Sequence, residues 1–488
     1  MARREPDDPG LPFAFHPLSN GEYAPLPRSP LVRETVRRVL DTADTNARRL
    51  GMSRRAFLSS SAGMALTLAT LSACNKEKSG GNAGGTFSVP PDATVDDTAA
   101  VETFTPTSTS TGPTSTSPVV PADFVMDVQT HLLEFAPGSV TSADIGFIQA
   151  SCGPDAAECM GVDAWLDLVM GASDTTIAVI SAIPVVADPD PLSIEVMEKA
   201  RHAAEQVGCS DRVLIQGHAT PTMGELSAAL DAMAEVAAEH DISAWKAYTH
   251  EGPAWRLDDD VGFAFCDQVR SLGQHIVCVH KGLGPAAASP EDVGAAAADH
   301  PDLMFCIYHS GFEVGVEEGP YPARQATGTL RGVDRLIRSC ELARLGRGAN
   351  VYPELGSTWW NLVQRPDEAA HVLGKLLVAF GEDNVLWGTD SIWYGSPQSQ
   401  IDAFRTFEIS QEFQERFGYP ALTPLLKAKI LGLNAAQVYG VDPTAVKCTY
   451  SPAERRDLRA KVGVLAPAGP TTATQARRVF AADHPWFR

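Results

Sequence analysis

The stretch FVMDVQTHLLEF, Phe124–Phe135, is an apolar run that delivers Asp127, Gln129 and His131 at its carboxyl end. Side chains two apart on a strand share a face, so these three can share one metal ion or one substrate. Seven further runs of the same kind follow: TIAVISAI, RVLIQGHA, ISAWKAYTH, HIVCVHKG, LMFCIYHSG, ANVYPELG and NVLWGTD. Nearly unbroken apolar runs are what strands buried on both faces of a parallel sheet require. Between them lie stretches of helical period, such as GELSAALDAMAEVAAEHD and DEAAHVLGKLLVAFGED. Eight strand-then-helix units over residues 122–445 predict an α/β fold, a (β/α)8 TIM barrel.

In such a barrel the site lies at the carboxyl ends of the strands, and almost every run ends in something reactive. The ends carry His131, Lys246 with His250, His280, His309, Glu354 and Asp390. A lone histidine there is more often a hydrogen-bonded structural residue than a ligand. Three on different strands, with an aspartate on the eighth, favour a common site.

The order and spacing of MDVQTHLL, IVCVHKG, IYHSGFE, NVLWGTDSIW and the closing KAKILGLNAAQVYGV with Asn434 resemble the amidohydrolase superfamily. The likeness is to amidohydrolase family 2, which includes relatives of aminocarboxymuconate semialdehyde decarboxylase, and it covers about Phe124 to Val441. The resemblance implies one divalent metal ion, zinc above all. Its implied ligands are His131, His280 and Asp390, with His309 and Asp390 as catalytic residues. Gln129 stands where the first histidine of a His-x-His pair belongs. A carboxamide oxygen is a poorer zinc ligand than imidazole, so Gln129 reads as a weak ligand or a non-ligand, and three protein ligands remain.

The implied function is a hydrolase that activates a metal-bound water to attack a small amide, ester or lactone. Two alternatives stand beside it: nonoxidative decarboxylation of an aromatic or unsaturated carboxylic acid, and a lapsed barrel that binds without turnover because of Gln129. Lys246 reads as a cation for substrate or a carboxylated ligand, with an ordinary lysine–acid pair as the plain alternative. Trp359 and Trp393 read as aromatic cover for a small-molecule substrate.

The chain has 488 residues, 44% hydrophobic, with a net charge of −21. No basic block lies in its body, which argues against nucleic acid and anionic membrane surfaces as partners. Ahead of the barrel, SRRAFLSSSAGMALTLATLSAC holds the twin arginine Arg54–Arg55, a short apolar stretch and a lipobox-like end at Cys74. It resembles a bacterial twin-arginine export signal of lipoprotein type. The expectation is a leader over 1–74, with Cys74 lipidated as the membrane anchor, and placement in the cell envelope. The plain alternative is a chance arginine pair before a buried helix. Residues 75–121, rich in Gly, Ser, Thr and Pro, read as a disordered tether. Residues 446–488 read as a C-terminal extension, and barrels of this branch favour homodimers as the oligomer.

Of nine cysteines, Cys266, Cys278, Cys306 and Cys340 sit in apolar runs as small core residues. Cys152 and Cys159 flank GPDAAE and can bridge a loop in an oxidising compartment.

Overall fold

The computed structural model describes residues 10–15, 17–89, 124–136, 157–184, 190–284, 286–322 and 330–444. Its strands are β1 (Gly85–Phe87), β2 (Met126–Thr130), β3 (Ile177–Ile180), β4 (Val213–Ala219), β5 (Ala244–Tyr248), β6 (Ile276–His280), β7 (Met304–Tyr308), β8 (Val351–Pro353) and β9 (Phe407–Ile409). Strands β2 to β8 form one sheet in sequence order, every neighbouring pair parallel. Seven of the eight apolar runs are therefore its strands.

The eighth run, NVLWGTD, forms no ladder strand, yet it fills the eighth place. Leu386 N donates to Pro353 O on one side, and Val128 N donates to Trp387 O and Asp390 N to Gln129 O on the other. Isolated parallel bridges Glu354–Leu386 and Thr130–Ser391 mark the same closure. The result is an α/β barrel whose last wall is held by single contacts rather than a regular ladder.

Met126, Val128, Ile177, Val179, Ala244, Cys278, Cys306, Tyr308 and Leu386 fill the interior with Ala435, Ala436 and Val438. The last three lie on the helix Asn434–Tyr439. Asn434 Nδ2 donates to the carbonyls of Glu382 and Val385, which ties this helix to the start of the eighth segment. Cys266, Cys278, Cys306 and Cys340 are free and buried. Cys159 and Cys209 are disulfide-bonded; Cys152, the expected partner of Cys159, lies outside the described residues.

Where the sequence suggests a leader over 1–74 and a tether over 75–121, the described residues up to 89 hold three helices: α1 (Pro30–Arg49), α2 (Arg54–Leu58) and α3 (Ser61–Lys78). Each is capped by a serine, Ser29, Ser53 and Ser60, whose hydroxyl accepts from an N–H of the first turn. Val32, Val36, Val39, Ala43 and Ala47 form the buried stripe of α1, at the spacing one helical face requires. Leu68 and Leu71 of α3 are likewise buried, and so is Cys74.

Strand β1 then pairs antiparallel with β9. Asn75 Nδ2 donates to Asp367 Oδ1 at 2.7 Å, and so does Gly84 N at 2.6 Å. Residues 75–89, read from composition as the start of a tether, are thus fastened to the barrel. The rest of that segment and residues 445–488 lie outside the described residues. Among the described residues no helix is long and apolar enough to cross a membrane. The apolar residues of α3 join one continuous core with the barrel's outer layer. Each buried valine or leucine contributes about 1.5–3 kcal/mol. Five such side chains on α1 and α3 rival the net stability of a whole domain, about 5–15 kcal/mol.

Candidate metal and catalytic site

Strand β2 breaks register between Asp127 and Thr130, and this irregularity decides which side chains reach the barrel mouth. Asp127 does not share the site with Gln129 and His131. Its carboxylate accepts from Gln129 N and from the N–H and hydroxyl of Thr389, fastening the first strand to the eighth segment. Burial pushes the Asp127 pKa up to about 7 against those donors.

Beyond the break, Gln129, His131 and Asp390 meet. Oδ1 of Asp390 accepts from Gln129 Nε2 at 2.9 Å and lies 3.0 Å from His131 Nε2. Its Oδ2 accepts from Asn20 Nδ2 at 2.9 Å and from Ser357 Oγ. The other nitrogen of His131 lies 2.7 Å from Ser181 O, so it carries a proton and the ring is fixed at both ends. Burial raises the Asp390 pKa, but the hydrogen bond from His131 and the nearby His309 outweigh it and hold the carboxyl below its usual range. Gln129 therefore acts as a donor to Asp390, and its oxygen turns away with no hydrogen-bond partner.

The opposite side of the mouth looks different. His280 ends β6, His309 follows β7 and His250 follows β5. The His280 ring lies 4.9 Å from that of His250 and 4.7 Å from that of His309. Nδ1 of His250, both nitrogens of His280 and Nδ1 of His309 are buried without a hydrogen-bond partner, a state that costs about 1–3 kcal/mol per group. Burial depresses the His250 pKa to about 4 and that of His309 to about 3. Both rings are neutral near pH 7, with lone pairs to offer.

His309 and Asp390 have φ of +65° and +58°, a left-handed backbone that non-glycine residues adopt at a cost and that clusters at functional sites. The His309 geometry is held by Glu354, whose carboxylate accepts from His309 N at 3.0 Å and Gly356 N at 2.6 Å. A Cβ at Gly388 would overlap Glu354 Oε1, so glycine is required there. Burial raises the Glu354 pKa well above its ordinary value.

The residues that sequence reasoning missed come from the N-terminal segment. Glu22 Oε2 sits 2.9 Å from His280 Nε2 and 3.8 Å from His309 Nε2. Asn20 Nδ2 bridges Glu22 Oε2, at 2.6 Å, and Asp390 Oδ2, separating two like charges. Tyr23 anchors the segment, its hydroxyl 2.9 Å from that of Tyr394. Despite burial, which raises it, the Glu22 pKa is drawn far below the carboxylate range by His280, His309 and His250. The available signal was the polar SNGEY between apolar FAF and proline-rich APLPRSP, a pattern that suits neither a leader nor a solvated tail.

Three other nominated residues are placed as follows. Lys246 Nζ is buried inside the barrel, 3.5 Å from the ring centre of Tyr308, and burial lowers its pKa to about 8. Trp393 stacks on His131 with ring centres 5.2 Å apart and lies at the mouth. Trp359 does not: it packs edge-on against Phe404 and Phe407 and donates Nε1–H to Gln400 O. It is a core residue, and its neighbour Trp360 stacks on Tyr394 instead.

Imidazole nitrogens beside a carboxylate are the donor types of a zinc centre, and the unpartnered buried nitrogens here fit such an ion. Of the ligands implied by resemblance, His280 has both nitrogens without a hydrogen-bond partner, whereas Asp390 accepts from Gln129, Asn20 and Ser357.

A family model described as Amidohydrolase matches residues 151–441, more than half of the chain. Among solved structures, an uncharacterised TIM-barrel protein from Bordetella bronchiseptica is similar at 16% identity, covering 65% of this chain and 98% of that one, with a TM-score of 0.40. Amidohydrolase 2 from Bifidobacterium longum subsp. infantis is 14% identical, covering 65% and 99%, with a TM-score of 0.33. A D-hydantoinase is 14% identical, covering 64% and 70%, with a TM-score of 0.34. No curated protein matches the chain. At such identities and scores the structural likenesses carry no functional argument, and the family match stands by itself.

Proposed function

The chain belongs to the amidohydrolase family, and from that premise we propose that it is a metal-dependent hydrolase of a small amide, ester or lactone. One observation carries the reading: the buried, unpartnered nitrogens of His250 and His280 converge with the Glu22 carboxylate at the barrel mouth. A divalent ion held there, zinc by donor type, would supply Lewis acidity and acidify a water.

The remaining chemistry belongs to the chain's own residues. His309, neutral at pH 7 and fixed through its backbone by Glu354, can accept a hydrogen bond at the mouth and so orient a water or substrate. Asp390 holds His131 and Gln129 in place and is itself held by Ser357 and Asn20. Trp393 over His131 and Tyr394 beside Ser357 line the mouth closely, which suits a small substrate.

The test is a panel of small amides, esters and lactones offered to zinc-loaded chain, before and after chelation. Turnover that chelation abolishes, and that His309→Ala lowers by about 10²–10⁴-fold, is the expected result. A metal-loaded chain that turns over no member of the panel would overturn it.

A further inference from the structure

We propose that Glu22 is a metal ligand, carried into the barrel mouth by the N-terminal segment, and that with His250 and His280 it forms a centre distinct from the set of His131, His280 and Asp390. The inference rests on the metal-dependent reading above and adds to it an assignment of the ligands.

Geometry comes first. Among the described residues, Glu22, His250 and His280 form a group of three whose ligand atoms all lie within 4.8 Å of one another. Glu22 Oε2 and His280 Nε2 are 2.9 Å apart, yet their directions make no hydrogen bond, and both nitrogens of His280 stay unpartnered. An ion between two such ligand atoms would suit this arrangement: two imidazoles and a carboxylate make the three-ligand set of several catalytic zinc centres, which leaves one position open for water or substrate.

The competing set is more occupied. Both oxygens of Asp390 accept hydrogen bonds, from Gln129, Asn20 and Ser357, His131 Nδ1 is held by Ser181 O, and Gln129 presents its amide nitrogen. The segment that brings Glu22 is also built to stay. Glu22 N donates to Asn20 Oδ1, closing a local turn. The Tyr23 hydroxyl meets both Tyr394 and Asn361. A Cβ at Gly284 would press to 3.0 Å from the Glu22 carbonyl oxygen, so the loop after β6 is shaped around this backbone. Glu22 Oε2 accepts from Asn20 and keeps a second lone pair for an ion.

The experiment uses the full chain, stripped with chelator, reloaded with Zn²⁺ or Co²⁺ and passed over a desalting column. Metal per chain is read by mass spectrometry, and the visible spectrum of the cobalt form reports the ligand set. Wild type is compared with Glu22→Gln, His250→Ala and His131→Ala, each checked for folding by thermal melting. About one ion per wild-type chain is expected. Affinity should fall by more than about 100-fold in Glu22→Gln and His250→Ala, because even changes behind a ligand cost 10–100-fold. The cobalt band should change in both, while His131→Ala keeps its ion.

Unchanged affinity in Glu22→Gln with loss in His131→Ala would place the ion on the competing set; the inference then fails and the hydrolase reading survives. Retained metal with faster turnover in Glu22→Gln would make Glu22 a plug and likewise overturn the inference. A wild type that takes up neither ion would remove the metal-dependent reading itself.

Discussion

Oε2 of Glu22 lies 2.9 Å from Nε2 of His280, so a residue ahead of the first barrel strand shares the mouth with the end of β6. The path that carries it there is continuous. Phe13 stacks on Trp360, Trp360 stacks on Tyr394, and Tyr394 meets Tyr23 through their hydroxyls. Helices α1 and α3 then seal the barrel's flank. The N-terminal region is thereby part of both the core and the site.

That integration predicts a stability effect far from the barrel. Leu71 is fully buried on α3. Leu71→Ala is expected to cost about 2–5 kcal/mol, as buried leucine truncations do, read from urea unfolding followed by barrel tryptophan fluorescence. A detachable leader would leave the midpoint where it was, and that result would contradict the packing described here.

A second prediction concerns Glu354, which touches backbone rather than substrate. In Gly388→Ala the new methyl group overlaps Glu354 Oε1. The carboxylate must shift: Oε1 loses the N–H of Gly356, and the bond that His309 N–H gives to Oε2 is disturbed with it. Overpacking of this kind costs about 1–3 kcal/mol, so the melting temperature should fall modestly. Turnover should fall with little change in KM, because a displaced His309 affects the reacting geometry more than binding. Equal kcat in the variant and the wild type would show that Glu354 does not position His309.

The barrel was legible because its evidence is local. Each of β2 to β8 is an apolar run, most runs carry a reactive end, and His280, His309 and Asp390 stand out at such ends. What was hidden depends on distant partners. The break in β2 that turns Asp127 toward Thr389 leaves no mark in FVMDVQTH, where strict alternation placed Asp127 beside Gln129. Trp359 and Trp360 are neighbours on one helix and both are buried; only their partners, Phe404 and Phe407 for one and Tyr394 for the other, tell which lies toward the mouth. A helix of small apolar residues after two arginines reads alike as an export signal and as a buried element. Contacts such as that of Asn75 with Asp367, 292 residues apart, are what sequence alone does not show.

The pKa shifts of the site predict a pH dependence with a definite sign. Unfolded histidine titrates near pH 6.5, whereas burial holds His250 at about 4 and His309 at about 3 in the folded chain. Between those values the unfolded state binds more protons, so this contribution to stability is full above about pH 6.5 and is lost as pH falls toward 4 and 3. Asp127, raised to about 7, and Glu354 act in the opposite sense. The readout is therefore a difference: in metal-stripped protein, His250→Asn should lose less stability than wild type between pH 6.5 and 4.5. Parallel profiles would show that His250 does not titrate as a buried neutral ring.

Gln129 offers the last and most direct test. Its amide nitrogen donates to Asp390 Oδ1 at 2.9 Å and lies 3.5 Å from His131 Nε2, so the side chain lies beside two groups able to hold a metal. Gln129→His withdraws the amide donor and sets a third imidazole or carboxylate donor at that place, beside His131 and Asp390. Such a trio meets the minimum for a zinc centre, while Glu22, His250 and His280 keep theirs. The variant is expected to bind about two ions per chain against about one in wild type, counted by mass spectrometry after desalting. A count that stays at one with an unchanged cobalt spectrum would mean that histidine at this position leaves the set of His131 and Asp390 as closed to metal as glutamine does. A count of one with a changed spectrum would mean that the two centres exclude each other, and that the glutamine determines which of them the ion takes.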